Sequence, residues 1–423
     1  MSAGSLPTHA RPLPPSAGPL PAHAGPNRPN TPLIQSYPQH TTSIIPSPMN
    51  PGLSEARAAW AACFESRKLR FGPKQQLPFQ QGKFLGRGGN GEVHSTLIQG
   101  VAMAWKRYST NRRKLTTEEL NEANILQTLS NHYHRHVVEL IGSYVHRKGT
   151  NGIEIGLFIW PVAHCNLESF LDYVDELGDY IHDLLSGTPV SIPEDMESVL
   201  ESLHTLLMPP SSSSSSHNML KDAVYLLSLH GRAKQYLHSK IGCIGEAVAY
   251  LHQQGIRHKD LKPAQILLSP HGLWLTDFGW SRDTSQLINS VTNGGDTTSL
   301  KYQSPERAAS QPCGKPEDVF TLGCIYLEMS YRLASDPVRG GSSFPWAERR
   351  FYSSLNHIDA WIAPLSMNPM MTIRNLAALI KRMVLRHPSQ RPLIHVVLTE
   401  LHFASVDGTQ SSLGPSFFST CCT

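Results

Sequence analysis

The hydrophobic pattern changes character twice along the chain. Through residue 52, large apolar side chains are sparse among Pro, Gly, Ser and Ala. Such a segment cannot offset the entropy of ordering, and a disordered Pro-rich tail is expected over 1–52. From Ser54 to Leu69, Trp60, Phe64 and Leu69 recur at helical spacing behind a Ser cap and Glu55, which predicts a helical extension within 53–78. Between Lys83 and Tyr108 the pattern reads strand, Gly-rich turn, strand and a third strand ending at Lys106, after which Thr116 or Thr117 caps a helix running to Leu129. Two more strands are expected at Val137–Val145 and Ile153–Trp160, completing a small antiparallel sheet with one main helix. Beyond Leu167 long helical stretches dominate, notably Ile241–Gln254, Val319–Leu333 and Leu376–Val384. The fold class is therefore α+β, with a sheet-rich first part and a mainly helical second part.

The helical part is interrupted between about 177 and 237 by Pro209-Pro210 and the run Ser211–Ser216, with acidic, partly helical flanks. Low-complexity serine marks an exposed loop, and the stretch is expected to be an insertion between two helices. Residues 405–423 are expected to form a flexible tail.

Composition narrows the setting. A formal charge of +4, with no long basic run, implies neither nucleic acid nor an anionic membrane as a partner. The seven cysteines show no CxxC pair and no Cys/His zinc spacing, which suits a reducing compartment. Without a signal-peptide pattern or a stretch near the ~20 apolar residues of a membrane span, a cytoplasmic or nuclear location is expected. In the tail, Arg11-Pro12-Leu13-Pro14-Pro15 suits either a polyproline helix docking on a polyproline-binding partner or a plain spacer.

Five short segments carry chemistry, in this order: Gly86-Arg87-Gly88-Gly89-Asn90-Gly91-Glu92-Val93, Val101-Ala102-Met103-Ala104-Trp105-Lys106, His258-Lys259-Asp260-Leu261-Lys262-Pro263-Ala264-Gln265, Asp277-Phe278-Gly279 and Ser304-Pro305-Glu306. A GxGxxG turn alone would fit a dinucleotide site, but there a helix follows directly, whereas Glu92–Leu97 is strand-like and Lys106 arrives on a further strand. No GK[ST] ending is present, which excludes a P-loop. Together the segments resemble the eukaryotic protein kinase family, of Ser/Thr type.

That resemblance covers about 79–404 and implies a bilobal fold, with an N-lobe over 79–160 and a C-lobe over 161–404. It implies ATP as cosubstrate, with Mg²⁺ or alternatively Mn²⁺, and protein substrates. Gly86, Gly88 and Gly91 would let backbone amides close over the phosphates, and Lys106 would supply charge to them, oriented by Glu122. Glu122 is preferred to Glu118 and Glu119 because Ile125 and Leu126 follow it at the family's spacing. Asp260 would take the proton of the attacking hydroxyl, Lys262 would offset charge on the γ-phosphoryl, and Asp277 would hold the metal. Val93, Ala104 and Leu267 would sandwich adenine, with Ile159 as gatekeeper and Trp160 and Val162 offering backbone hydrogen bonds. Ser299 resembles the hydroxyl residue bridging Asp260 and Lys262, and Thr292, Thr297 and Thr298 are candidate phosphate acceptors. Glu306 with Arg391 resembles a buried ion pair, and Asp318 a carboxylate that holds the catalytic-loop backbone. His132, His134 and His136 resemble a family turn more than a metal site.

Two positions depart from the family. Gln265 stands where a metal-binding Asn is expected, and its extra methylene moves the amide oxygen by about one C–C bond length. Lys259 replaces an Arg that pairs with a loop phosphate, giving a point charge in place of a fork. The first departure keeps open an alternative, a nucleotide-binding pseudokinase or scaffold that recruits partners through the tail and the insertion.

Overall fold

The structure, a computed structural model, describes residues 50–88, 91–111, 114–149, 152–187, 195–208, 222–283, 300–339, 350–406 and 416–422. The Pro-rich segment at 11–15, the serine run, and Thr292, Thr297, Thr298 and Ser299 lie outside them. No described helix is long and apolar enough to cross a membrane.

Helix α1 (Pro51–Cys63) starts where Asn50 accepts the Gly52 amide through its side chain at 2.9 Å, with Pro51 in the first turn. It ends at Cys63, and Leu69 belongs to strand β1 (Lys68–Phe71), not to the helix expected through that position. Lys68-Leu69-Arg70-Phe71 alternates polar and apolar, a strand period that the preceding Ala-rich helix signal obscured. Strands β2 (Phe84–Gly88), β3 (Gly91–Ile98) and β4 (Val101–Thr110), helix α2 (Thr117–Ser130), and strands β5 (Glu139–Lys148) and β6 (Gly152–Trp160) complete the first lobe. The sheet order is β1-β5-β6-β4-β3-β2. Because β1 runs parallel to β5, the sheet is mixed, which corrects the antiparallel expectation.

The extension is part of this lobe's core. Trp60 is 2% exposed, its ring centroid lies 4.9 Å from that of Phe158, and its indole N–H donates to the Ser66 carbonyl at 3.1 Å. Gly142 makes room for it, since a Cβ there would sit 2.2 Å from the indole.

The second lobe holds β7 (Cys165–Asn166), α3 (Leu167–Leu185), α4 (Met196–Leu207), α5 (Ala223–His238), α6 (Ile241–Gln253), β8 (Ile256–Arg257), β9 (Ile266–Ser269), β10 (Gly272–Leu275), β11 (Arg282–Asp283), the single turn α7 (Pro305–Ala308), α8 (Lys315–Ala334), α9 (Ile358–Ser366), α10 (Met371–Met383) and α11 (Ile394–Val406). The stretch expected over 177–237 as an insertion with partly helical flanks is largely helical in its described residues. Helix α3 runs through to Leu185, and α4 buries Met196, Val199, Leu200, Leu203 and Leu206, a spacing that puts one apolar stripe against the lobe. Inside this lobe Arg391 grips Glu306 through two 2.7 Å bonds, both side chains buried, as the resemblance implied. The expected tail is also revised, since Phe417 and Phe418 are buried and Gly242 donates its amide to the Phe417 carbonyl at 2.9 Å.

Trp60→Ala is predicted to cost about 3–5 kcal/mol, the range for emptying a buried aromatic site. Urea unfolding measures it, and a loss below about 1 kcal/mol would show that α1 is only an appendage.

Candidate active site

Strand β4 places Lys106 between Val93 of β3 and Leu157 of β6. The alternation of the strand turns its side chain inward, where it is 5% exposed. Close approach of β3 to β4 requires glycine at 91, because a Cβ there would meet the Arg107 carbonyl oxygen at 2.0 Å. Gly86 and Gly88 lie on β2, while residues 89–90 of the turn are outside the described residues.

A buried ammonium needs partners, and two elements supply them. Lys106 Nζ lies 2.7 Å from Glu122 Oε1 of α2 and 2.8 Å from Asp277 Oδ1, which follows β10. Burial works against the charge on Lys106, but the two carboxylates outweigh it and hold the ammonium above its ordinary range. Burial likewise opposes ionisation of Asp277, and Lys106 reverses the balance, so its carboxyl titrates below the usual range. The neighbouring Glu118 and Glu119 have side chains outside the described residues.

Asp277 has φ +62°, a left-handed conformation that aims its carboxylate back toward β4. Two contacts hold it there. Gln265 donates its side-chain amide to Asp277 Oδ2 at 2.9 Å, and Asn121, next to Glu122 on α2, donates to the carbonyls of Gly279 at 3.2 Å and Ser281 at 2.9 Å. Gln265 therefore braces Asp277 with its nitrogen, and its oxygen reaches a metal only after the amide turns over.

The second charged pair lies on the turn between β8 and β9. Lys262 Nζ is 2.9 Å from Asp260 Oδ2, and Asp260 is 6% exposed. Asp318 on α8 fixes this turn from beneath. Its two oxygens accept the backbone amides of His258 and Lys259, each at 3.0 Å, and Oδ2 lies 2.9 Å from His252 Nε2. These bonds secure Lys259 at φ +68°. Burial alone would raise the Asp318 carboxyl, yet the His252 bond and the Lys259 amide bring it down to about 2. Lys259 stands in a cationic group: burial, and then the charges of Arg307 and Arg257, push its ammonium below the usual value.

Along the cleft, Ala104 pairs with Ile159 across β4 and β6, Trp160 ends β6, and Val162 follows it partly exposed. Val93 and Leu267 are also only partly buried. Lys106, Glu122, Asp277 and Gln265 thus meet, and Asp260 meets Lys262, while Asn121 and His252 gave no signal in the spacing of the motifs.

Residues 196–403 match the family model described as "Protein kinase domain". That match contains Asp260, Gln265, Asp277, Glu306, Asp318 and Arg391, and Lys106 and Glu122 precede it. The chain is 30% identical over 170 residues to "Serine/threonine-protein kinase PKH2" of Candida albicans, covering 38% of this chain and 17% of that protein. It is 38% identical over 116 residues to "MAP kinase kinase MKK1/SSP32" of Saccharomyces cerevisiae, covering 26% and 22%. With "Serine/threonine-protein kinase PknB" of Mycolicibacterium smegmatis it shares 29% identity over 177 residues, covering 38% and 28%. The matches thus span less than a third of each relative's length.

A carboxyl lowered from 3.8 to about 2 contributes stability that is present above pH ~4 and lost as the pH falls toward 2. Asp318→Asn removes this contribution, so its stability deficit relative to the native chain should shrink by about 1 kcal/mol between pH 5 and pH 3. Urea titrations at the two pH values test this, and a deficit independent of pH would mean that Asp318 does not hold the turn as a carboxylate.

Proposed function

This chain belongs to the eukaryotic-type protein kinase family, and on that premise we propose that it transfers the γ-phosphoryl group of ATP to serine or threonine hydroxyls of protein substrates. The observation that carries the proposal is Lys106 bound to both Glu122 and Asp277, with Asp260 and Lys262 paired on the turn that precedes Gln265.

Oxygen donors suit a hard divalent cation, and Asp277 keeps its side chain 23% exposed toward the cleft, so the residues fit Mg²⁺. Asp277 would hold it, joined by the Gln265 oxygen once the amide turns. A bound divalent ion would neutralise phosphate charge during transfer. Lys106 binds the α- and β-phosphates as a point charge, kept extended by Glu122. Asp260 orients the substrate hydroxyl and takes its proton as the oxygen bonds to the γ-phosphorus. The bond from that phosphorus to the β–γ bridging oxygen breaks, ADP leaves, and Lys262 offsets charge on the moving phosphoryl group. Val93, Ala104 and Leu267 enclose the base, and Ile159, Trp160 and Val162 form its edge.

Phosphate incorporation from labelled ATP into a generic Ser/Thr protein substrate, in Mg²⁺ and then in Mn²⁺, tests the reading. Asp260→Asn should lower the rate at least ~100-fold, Asp277→Ala should abolish incorporation, and Gln265→Asn should match or exceed the native rate. Incorporation that survives both aspartate substitutions would overturn the assignment, as would a native chain that binds ATP and transfers nothing.

A further inference from the structure

Four side chains that take no part in the site described above converge, with ligand atoms all within 4.8 Å of one another: His136, Cys243, Cys421 and Cys422. They come from three places in the sequence. His136 precedes β5, Cys243 is in the first turn of α6, and the two adjacent cysteines end the segment Ser416–Cys422. The segment is seated firmly. Phe418 stacks on His402 with centroids 4.0 Å apart, and a Cβ at Gly242 would strike the Phe418 ring at 2.3 Å. Ser419 bonds to Lys240 Nζ at 2.7 Å and donates to the Ser239 carbonyl at 3.1 Å.

The separations approach those of a tetrahedron. Zinc with bonds of about 2.3 Å to sulfur and about 2.0–2.1 Å to nitrogen requires S···S edges near ~3.8 Å and N···S edges near ~3.6 Å. Sulfur–sulfur distances here are 3.6 Å for Cys243–Cys422, 3.8 Å for Cys243–Cys421 and 4.0 Å for Cys421–Cys422. His136 Nε2 is 3.6 Å from Cys421 Sγ and 2.8 Å from Cys422 Sγ, the latter being the edge that must widen. A disulfide needs sulfurs about 2.05 Å apart, so none of these pairs is bonded.

The imidazole is already in the ligating tautomer. His136 Nδ1 faces the Leu273 carbonyl at 3.0 Å and must carry the proton, leaving the Nε2 lone pair directed at the sulfurs. Its neighbour His134 is excluded from the group because its ring stacks on Tyr250, with centroids 4.5 Å apart.

We propose that His136, Cys243, Cys421 and Cys422 form a structural zinc site that clamps the segment 416–422 to the catalytic lobe. Four protein ligands close the coordination sphere, so the metal is structural and does no chemistry on substrate. Thiolate and imidazole donors select zinc over the hard cation of the cleft. Binding releases the thiol protons to solvent and leaves three thiolates and a neutral imidazole around Zn²⁺, with a net charge of −1. The site was hidden in sequence because its ligands are far apart and two of them are adjacent, a pattern with no zinc-finger spacing.

The full chain, purified under reducing conditions, would be exposed to Zn²⁺, freed of excess and assayed by mass spectrometry of the metal. About one zinc per chain is expected for the native chain and for Cys63→Ser, whose sulfur is exposed elsewhere, with at least a ~10-fold loss of affinity in Cys421→Ser and Cys422→Ser. Titration of Co²⁺ into the metal-free native chain should give the visible bands of tetrahedral cobalt and a near-ultraviolet thiolate charge-transfer band. This second readout does not depend on any variant folding. Absence of both bound zinc and those bands would overturn the proposal. So would one zinc retained unchanged in Cys421→Ser and Cys422→Ser, or a disulfide among the three cysteines in the freshly purified chain.

Discussion

Lys106 is an ammonium buried at the junction of two lobes, and it is tolerable there only because Glu122 and Asp277 reach it from different elements. Taking three charges out of water costs several kcal/mol for each, and the attraction among them offsets that cost only with good geometry. Much of the surrounding architecture supplies that geometry. The mixed sheet turns Lys106 inward, α2 brings Glu122 across, and the left-handed backbone at Asp277 presents its carboxylate. Losing Lys106 leaves two buried carboxylates without a counter-charge, so the cluster couples the placement of α2 and of the segment after β10 to the same free energy.

The same economy governs the turn carrying Asp260. Its backbone is unusual at Lys259, and a single buried carboxylate, Asp318, satisfies two of its amides. Strand β10 links the two regions. Leu275 exchanges backbone hydrogen bonds with His136 and Val138 two residues before Asp277, while Leu273 receives the His136 ring. The cysteine–histidine group therefore abuts the strand that delivers Asp277, and a clamp there would fix the strand from behind without entering the cleft.

Much of this was legible in the chain. Most of the charged residues of the cleft sit in short motifs whose order carries the fold, and Glu122, singled out by the apolar pair that follows it, lies 2.7 Å from Lys106. Other features were hidden for identifiable reasons. Strand β1 is four residues long and follows an Ala-rich helix whose pattern runs into it. The flanks of the serine run read as partly helical, but that the apolar stripe of α4 packs against the lobe depends on neighbours that only folding brings to it. The placement of Phe417 and Phe418 depends on a pocket over α6 that exists only after folding. The bond from the Gln265 side-chain nitrogen to Asp277 is an orientation that no sequence pattern encodes.

On the proposed function, the Lys106–Glu122–Asp277 cluster is a site for nucleotide phosphates and their divalent ion. Calorimetric titration of the full chain with a nonhydrolysable ATP analogue, with and without Mg²⁺, tests it most directly when Asp277→Ala is titrated alongside. Mg²⁺ should tighten binding to the native chain, and Asp277→Ala should lose this Mg²⁺ dependence. Equal affinity in the two conditions, or the same Mg²⁺ dependence in the variant, would contradict it.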